Sequence, residues 1–189
     1  VAAGDKHASA SIVGSYSLWG AKVVCDGIPL ETTLITGRDL CRKTLLNQLY
    51  CFWSPSVLLI RSSAIRERGN FYGGDHLHAD VEAYYELLRG SDFAFAHQVL
   101  TVIRRQDESA TSRITEPQNQ NIVSTLDLFL KFGREFLTEE EYQSELRVKT
   151  TQYYKFLAKS LLAFRERGFW RFHQQSCKVI GFPFRWSHL

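Results

Sequence analysis

The segment FWSPSVLLIRSSAIRERGNFYGGDHLHADVEAYYELLRGSDFAFAHQVLTVIRRQDESATS, residues 52–112, decides which fold this chain can adopt. Its apolar run over Ser56–Arg61 predicts a buried strand. An amphipathic helix is predicted next, with Asp80 in the N-cap position. A second strand is predicted over Phe93–Ile103. Strands that alternate with a helix in this way indicate an α/β domain.

Within this segment, the predicted helix carries one apolar face, and Gly90 marks its end. The face consists of Ala83, Tyr84, Leu87 and Leu88. The strand that follows, FAFAHQVLTVI, is apolar along nearly its whole length. Such a pattern is typical of a strand that is covered on both faces.

Upstream of this segment, two further strands are predicted over Ser11–Leu18 and Ala21–Cys25, with a turn between them. After Gly37, a leucine stripe predicts a helix. A short helix is also predicted over Ser62–Arg68.

Downstream, the polar segment 113–120 reads as a linker, and the pattern then changes to long helices. One helix is predicted over Ile122–Phe136. A capping box that begins at Thr138 opens a second helix, expected to run to about Arg167. We therefore expect an α/β region over residues 1–115 and a helical extension over residues 116–189.

Composition excludes several classes of protein. The chain has 189 residues, a formal net charge of +3 and a pI near 8.7, which is too weakly basic to indicate nucleic-acid binding. Its four cysteines have no CxxC spacing, so reduced intracellular thiols are expected rather than a disulfide framework or a zinc site. No apolar run is long enough for a transmembrane helix. Because the chain lacks methionine and begins at Val1, we expect a piece of a longer chain cut on its N-terminal side; a processed mature protein is the alternative.

Several short motifs in this chain follow one another in a distinctive order. The turn Gly69-Asn70-Phe71-Tyr72 precedes His78-Ala79-Asp80, and the last strand runs into RRQDESAT over residues 104–111. In this order and spacing the sequence resembles the family 2 glycosyltransferases of the GT-A fold, over about residues 10–112. The resemblance covers roughly the C-terminal half of that catalytic domain. It implies a partial GT-A, Rossmann-like mixed sheet with flanking helices, followed by a C-terminal α-helical extension.

The resemblance also implies an activity, which is inverting transfer of a sugar from a nucleotide-diphosphate sugar to an acceptor hydroxyl. The sequence departs from the family pattern at three points. The acidic pair of the family is Ala79-Asp80 here, the signature histidine is Gln106, and Trp53 replaces a small residue. The family's Asp-x-Asp metal motif does not occur in residues 1–189. A divalent cation, Mg or Mn, is therefore expected to be held mainly by residues upstream of this chain, and the chain itself is expected to supply no metal site.

Asp80 is the candidate general base. A carboxylate at a helix N-terminus is held rigidly, and general-base catalysis needs such a group within hydrogen-bond reach of the acceptor hydroxyl. The alternative is that Asp80 is only an N-cap. Arg104 and Arg105 are candidate ligands of the departing diphosphate, because a guanidinium donates a planar fork of hydrogen bonds to phosphate. Consecutive strand residues point to opposite faces, so one of the two is expected to act; solvated charges are the alternative.

The remaining candidate residues are expected to contact substrate. Ser109 and Thr111 are candidate phosphate-positioning residues, or else turn residues. His78 is a candidate contact to the acceptor or to Asp80, with a surface histidine as the alternative. Trp53 is a candidate stacking partner for an acceptor sugar, as are Phe71 and Tyr72; core packing is the alternative.

The C-terminal segment FRERGFWRFHQQSCKVIGFPFRW, residues 164–186, interleaves aromatic and basic residues. We expect a helix packed on the first region whose apolar edge meets a partner. Contact with an anionic membrane surface is an alternative, and binding of nucleic acid is not expected.

Taken together, the sequence predicts a fragment of an inverting glycosyltransferase, cytoplasmic or peripheral to a membrane. Its acceptor would be a saccharide, a lipid-linked saccharide or a protein side chain. The rival interpretation is a non-catalytic interaction or membrane-surface module that keeps the fold without the donor site.

Overall fold

The computed structural model describes residues 2–69, 71–73, 77–103 and 118–186. The chain forms two compact units, residues 1–105 and residues 106–189. The first unit is a mixed α/β structure built on a curled sheet, and the second is helical. The predicted α/β class of the first unit, with a helical region after it, is confirmed.

The first unit contains a five-stranded mixed sheet. Its strands are β1 Ala10–Trp19, β2 Lys22–Val24, β3 Leu34–Thr36, β4 Leu58–Ile60 and β5 Asp92–Ile103. The long strands β1 and β5 are parallel neighbours along their whole length, with bulges in the register. Both β2 and β4 pair antiparallel with the other edge of β1, and β3 pairs antiparallel with the start of β5.

Four helices flank this sheet: α1 Ala2–Lys6, α2 Gly37–Leu45, α3 Ser62–Glu67 and α4 Ala79–Leu88. The Oγ1 atom of Thr36 caps α2 by accepting a hydrogen bond from Asp39 N. Gly37 lets the start of α2 approach the end of α4, since a Cβ there would overlap the carbonyl oxygens of Leu88 and Ser91. The largest fully buried side chains of the unit are Ile12, Leu40, Phe52, Tyr84, Leu88, Phe93 and Phe95.

Strand β5 differs from its prediction. Only Phe93, Ala94 and Phe95 are buried, whereas Val99 and Leu100 are exposed. Strand β3 pairs with β5 over Asp92–Ala94, beside the buried part of the strand. The expectation of a strand covered on both faces is therefore wrong for the second half of β5.

In its described residues, 118–186, the second unit contains three helices: α5 Gln120–Phe136, α6 Glu139–Leu162 and α7 Arg167–Val179. The predicted capping box is confirmed, because Thr138 Oγ1 accepts from Glu141 N and the Glu141 side chain accepts from Thr138 N. The expectation that this helix continues to about Arg167 is wrong. Phe164 adopts a left-handed backbone conformation, which ends the helical path of α6 and allows α7 to begin separately.

The helical unit has an aromatic core. Its buried members are Val123, Leu126, Tyr153, Tyr154, Leu157, Phe169, Cys177 and Phe182. The hydroxyl of Tyr154 donates to Pro183 O at 2.8 Å and accepts from Arg185 N at 3.0 Å, so it fastens the C-terminal segment to α6. No helix in the described part of the chain is both long and apolar enough to cross a bilayer.

A chain of hydrogen bonds runs through this core around His173, which is fully buried. His173 Nε2 lies 3.0 Å from Gln118 O, so it carries the proton and donates to that carbonyl. His173 Nδ1 then accepts from the Tyr153 hydroxyl at 2.9 Å, and the Cys177 thiol donates to Tyr153 at 3.1 Å. Burial lowers the pKa of His173 to about 4, and the hydrogen bond to Gln118 opposes only part of this shift.

Candidate active site

Asp80 lies in the first turn of α4 and not at its N-cap, so the predicted position is wrong by two residues. The helix begins at Ala79, and the first helical hydrogen bond joins Glu82 N to His78 O at 2.9 Å. His78 is the N-cap residue, with a left-handed φ of 70° and no capping hydrogen bond from its side chain. The Oδ1 atom of Asp80 accepts from Val81 N at 2.8 Å, which fixes the carboxylate at the helix N-terminus.

Arg68 holds α4 in place. Its guanidinium forms an ion pair with Glu86 and donates to Ala83 O at 3.4 Å. The same group lies 5.9 Å from the ring centroid of Phe71. Arg68 therefore ties α3 and the segment around Phe71 to the helix that carries Asp80.

Two tyrosines lie close enough to Asp80 to sense its charge. Burial, and next the negative charge of Asp80, raise the pKa of Tyr50 to about 12. The same two causes, in the same order, raise the pKa of Tyr84 above its ordinary value. Tyr84 lies one helical turn after Asp80, so both side chains project from the same face of α4.

The Tyr84 hydroxyl is buried and has no hydrogen-bond partner among the residues that the structure describes. A buried donor without a partner is unfavourable by about 1–3 kcal/mol. The Tyr84 side chain is fully buried, so this hydroxyl lies in the core behind the first turn of α4 and is not open to solvent.

Three exposed aromatic rings form a continuous patch beside this site, which we call the aromatic surface: Trp19, Tyr50 and Trp53. The ring centroids of Trp19 and Trp53 are 5.5 Å apart, and those of Tyr50 and Trp53 are 5.7 Å apart. Their exposed fractions are 42%, 41% and 37%, so each side chain is partly open to solvent. Trp53 Nε1 donates to the backbone carbonyl of Tyr50 at 3.0 Å, which fixes the Trp53 ring against the Tyr50 backbone.

Phe52 links the aromatic surface to α4. Its ring centroid lies 6.1 Å from that of Tyr50 and 5.4 Å from that of Tyr84. The exposed rings and the Asp80 carboxylate therefore belong to one connected region of the first unit.

This region lies at the carboxyl ends of the parallel strands. Trp19 is the last residue of β1, and it pairs with Ile103, the last residue of β5. In open α/β sheets, ligands bind at the carboxyl ends of the strands.

The structure brings together only part of the predicted site. Asp80 and Trp53 lie in the connected region, and His78 directly precedes α4. Arg104, Arg105, Ser109 and Thr111, the candidate phosphate ligands, fall outside the described residues. Trp19, Tyr50 and Tyr84 were not predicted as site residues, although Tyr84 stands at i+4 from Asp80 in the sequence.

The described residues do not form a cation site. Across those residues, no group of three or more His, Cys, Asp and Glu side chains could hold a metal ion. Asp80 alone does not meet the oxygen ligation that Mg²⁺ or Mn²⁺ requires.

A separate cavity of about 500 Å³ lies on the β3 side of the first unit. Its lining includes Pro29, Ile35 and the Asp39–Lys43 ion pair, whose atoms are 2.8 Å apart. Neither Asp80 nor the aromatic surface borders it.

Comparison with known proteins found no matching family model, no similar curated protein and no similar solved structure.

Proposed function

We propose that this chain is the acceptor-side part of an inverting glycosyltransferase of the GT-A fold, with Asp80 as the general base. One observation carries the proposal: a carboxylate fixed at a helix N-terminus lies close enough to Tyr50 to raise its pKa, and the Tyr50 ring neighbours that of Trp53, which in turn neighbours Trp19 at the end of β1. The resemblance of the motifs around Asp80 and after β5 to family 2 enzymes supports it.

In the proposed reaction, the acceptor hydroxyl donates a hydrogen bond to the Asp80 carboxylate. The acceptor oxygen attacks the anomeric carbon from the face opposite the diphosphate, and its proton passes to Asp80. The new carbon–oxygen bond forms as the bond to the nucleotide diphosphate breaks, which inverts the anomeric centre. The hydrogen bond from Val81 N holds the carboxylate in a fixed position for this transfer.

The aromatic surface favours an acceptor that presents a saccharide ring. One face of a pyranose is lined by C–H groups and packs on an exposed aromatic ring, while its hydroxyls stay available for hydrogen bonds. We therefore favour a free or lipid-linked saccharide over a protein side chain.

In this proposal the diphosphate is stabilised by residues that follow β5. Arg104 comes directly after Ile103 and matches the arginine of the family signature, with Arg105, Ser109 and Thr111 as neighbours in the sequence. The nucleotide and the Mg or Mn ion would be held by the donor half of the domain, which precedes the matched region in the family.

Asp80→Asn in the full-length product of the gene tests the base. The change preserves shape and removes the proton acceptor, so transfer should fall by about a thousandfold. Binding of the nucleotide-diphosphate sugar, measured by calorimetry, should change little. The control is Asp26→Asn, which alters an exposed carboxylate of the same unit. Wild-type turnover in Asp80→Asn would remove Asp80 from the mechanism.

The role of the aromatic surface in acceptor binding is tested by the acceptor KM in the same transfer assay. Trp53→Ala should raise the KM for a saccharide acceptor by about tenfold, because one stacking contact of about 1.5 kcal/mol is lost. The donor KM should not change. Leu59→Ala, which alters an exposed apolar residue of β4, is the control and should change neither value. An unchanged acceptor KM in Trp53→Ala would exclude the aromatic surface from acceptor binding.

A further inference from the structure

The corner between α6 and α7 exposes apolar side chains to water. Every residue of the segment LLAFRERG, residues 161–168, is exposed. Leu162 is 78% exposed and Phe164 is 93% exposed, more than any other large apolar side chain among the described residues. Burial in the helical unit therefore does not explain why these residues are apolar.

Phe164 also has an unfavourable backbone conformation. Its φ is 51°, in the left-handed region that favours glycine over a bulky residue. Helix α6 ends there with bonds from Phe164 N to Leu161 O and from Arg165 N to Ser160 O. A glycine would serve this helix end better, so neither packing nor backbone preference accounts for an exposed phenylalanine.

Basic and amphipathic residues surround this corner. Residues 159–171 contain four basic side chains and one acidic side chain. Trp170 Nε1 donates to Arg165 O at 3.2 Å, and the Trp170 ring lies 5.2 Å from that of Trp186. Apolar side chains at a protruding turn, with tryptophans and arginines beside them, fit the water–lipid boundary of an anionic membrane.

We propose that this corner, residues 161–168, inserts into an anionic lipid surface. Leu162 and Phe164 enter the region of the acyl chains, and Arg165 and Arg167 contact lipid phosphates. The positive charge favours a lipid headgroup layer over the apolar groove of a protein, and a corner inserts into a bilayer surface without a complementary partner. The inference is independent of the reaction proposed for Asp80.

Sedimentation with vesicles of phosphatidylcholine, with and without phosphatidylserine, tests this proposal. The chain should bind the vesicles that contain phosphatidylserine, and added salt should weaken the binding. Phe164→Gly should weaken it by about tenfold or more, since the apolar side chain is lost. The same variant should unfold at higher urea concentration, because glycine adopts the left-handed conformation without the strain of a larger side chain. A loss of vesicle binding in this variant could then not be caused by unfolding.

Two further variants complete the design. Arg165→Gln combined with Arg167→Gln should lower binding to the phosphatidylserine vesicles and reduce its salt dependence. Val179→Ala, which alters an exposed apolar residue outside the corner, should bind as the wild type does. Absence of binding, binding that Phe164→Gly retains, or self-association through this corner in sedimentation velocity without lipid binding would each overturn the proposal.

Discussion

Lowering the pH from 7 toward 4 should destabilise the helical unit because His173 must take up a proton there. Both ring nitrogens are already engaged: Nε2 donates to Gln118 O, and Nδ1 accepts from Tyr153. Protonation of Nδ1 replaces an acceptor by a donor and faces it toward the hydroxyl of Tyr153, inside a fully buried aromatic environment. The perturbation is therefore a charge placed in the core without an anionic partner among the described neighbours.

The magnitude follows from the difference between the two pKa values of His173. The pKa is about 4 in the folded chain and 6.5 in the unfolded chain. Because the folded pKa is the lower one, the unfolded chain binds more protons between these two values. Stability is then fully present above pH 6.5, falls by about 1.4 kcal/mol per pH unit on acidification, and has lost about 3 kcal/mol near pH 4.

The assay compares the wild type with His173→Gln, whose side chain does not titrate. Free energies of unfolding come from urea titrations at several pH values between 4 and 7. Hydrogen exchange by mass spectrometry assigns the change to peptides from α6 and α7. Other groups titrate equally in both proteins, so the difference between them isolates His173. His173→Gln should be less stable at pH 7 and should lack the additional loss on acidification.

Parallel stability curves for the two proteins across this range would refute the reasoning. They would mean that His173 binds its proton in the folded chain as easily as in the unfolded chain. An imidazole titration followed by nuclear magnetic resonance should agree, with His173 remaining neutral well below pH 6.

Two other substitutions test how the helices are placed. Gly37→Ala should lower the free energy of unfolding by about 3 kcal/mol, because the new Cβ overlaps backbone oxygens at the end of α4. Gly90→Ala, where a Cβ meets nothing within 4 Å, is the control, and equal urea midpoints for the two variants would contradict the close contact. Thr138→Ala should cost about 1 kcal/mol through loss of the α6 cap. Thr151→Ala, in the middle of α6, is the control and should not lower the free energy of unfolding. An equal loss of stability in the Thr138 and Thr151 variants would assign the effect to helix propensity and not to the cap.

Features set by local chemistry were predictable from the sequence. The strand expected over Ser11–Leu18 lies within β1, and the helix expected over Ser62–Arg68 is α3. The capping box at Thr138 needs only a hydroxyl and a carboxylate three residues apart, so it is visible in any reading of the chain. The α/β class followed from the order of such elements.

Features set by tertiary contacts were not predictable. The second half of β5 is as apolar in sequence as the first, so its composition does not reveal that Val99 and Leu100 are exposed. The end of α6 was missed for a local reason: it is fixed by the left-handed backbone of Phe164, a conformation that phenylalanine rarely adopts.

The candidate site illustrates the same limit. Asp80 was identified from its place before an amphipathic stretch, but the helix starts two residues earlier because His78 O accepts the first helical bond. Trp19 lies about thirty residues before Tyr50 and Trp53 in the chain, and only folding places its ring against that of Trp53. The unpartnered hydroxyl of Tyr84 is likewise a property of the packed structure.

The pairing of β1 with β5 has a consequence for synthesis of the protein. The first strand of the sheet can complete its long parallel ladder only after the last strand of that unit has left the ribosome, because most of the unit separates the two in sequence. Pairing between such distant segments is slow, whereas helices that contact their neighbours in sequence assemble fast. Until then the apolar residues of β1 lack their partner strand. We therefore expect nascent chains of this protein to depend on chaperones that shield unpaired strands.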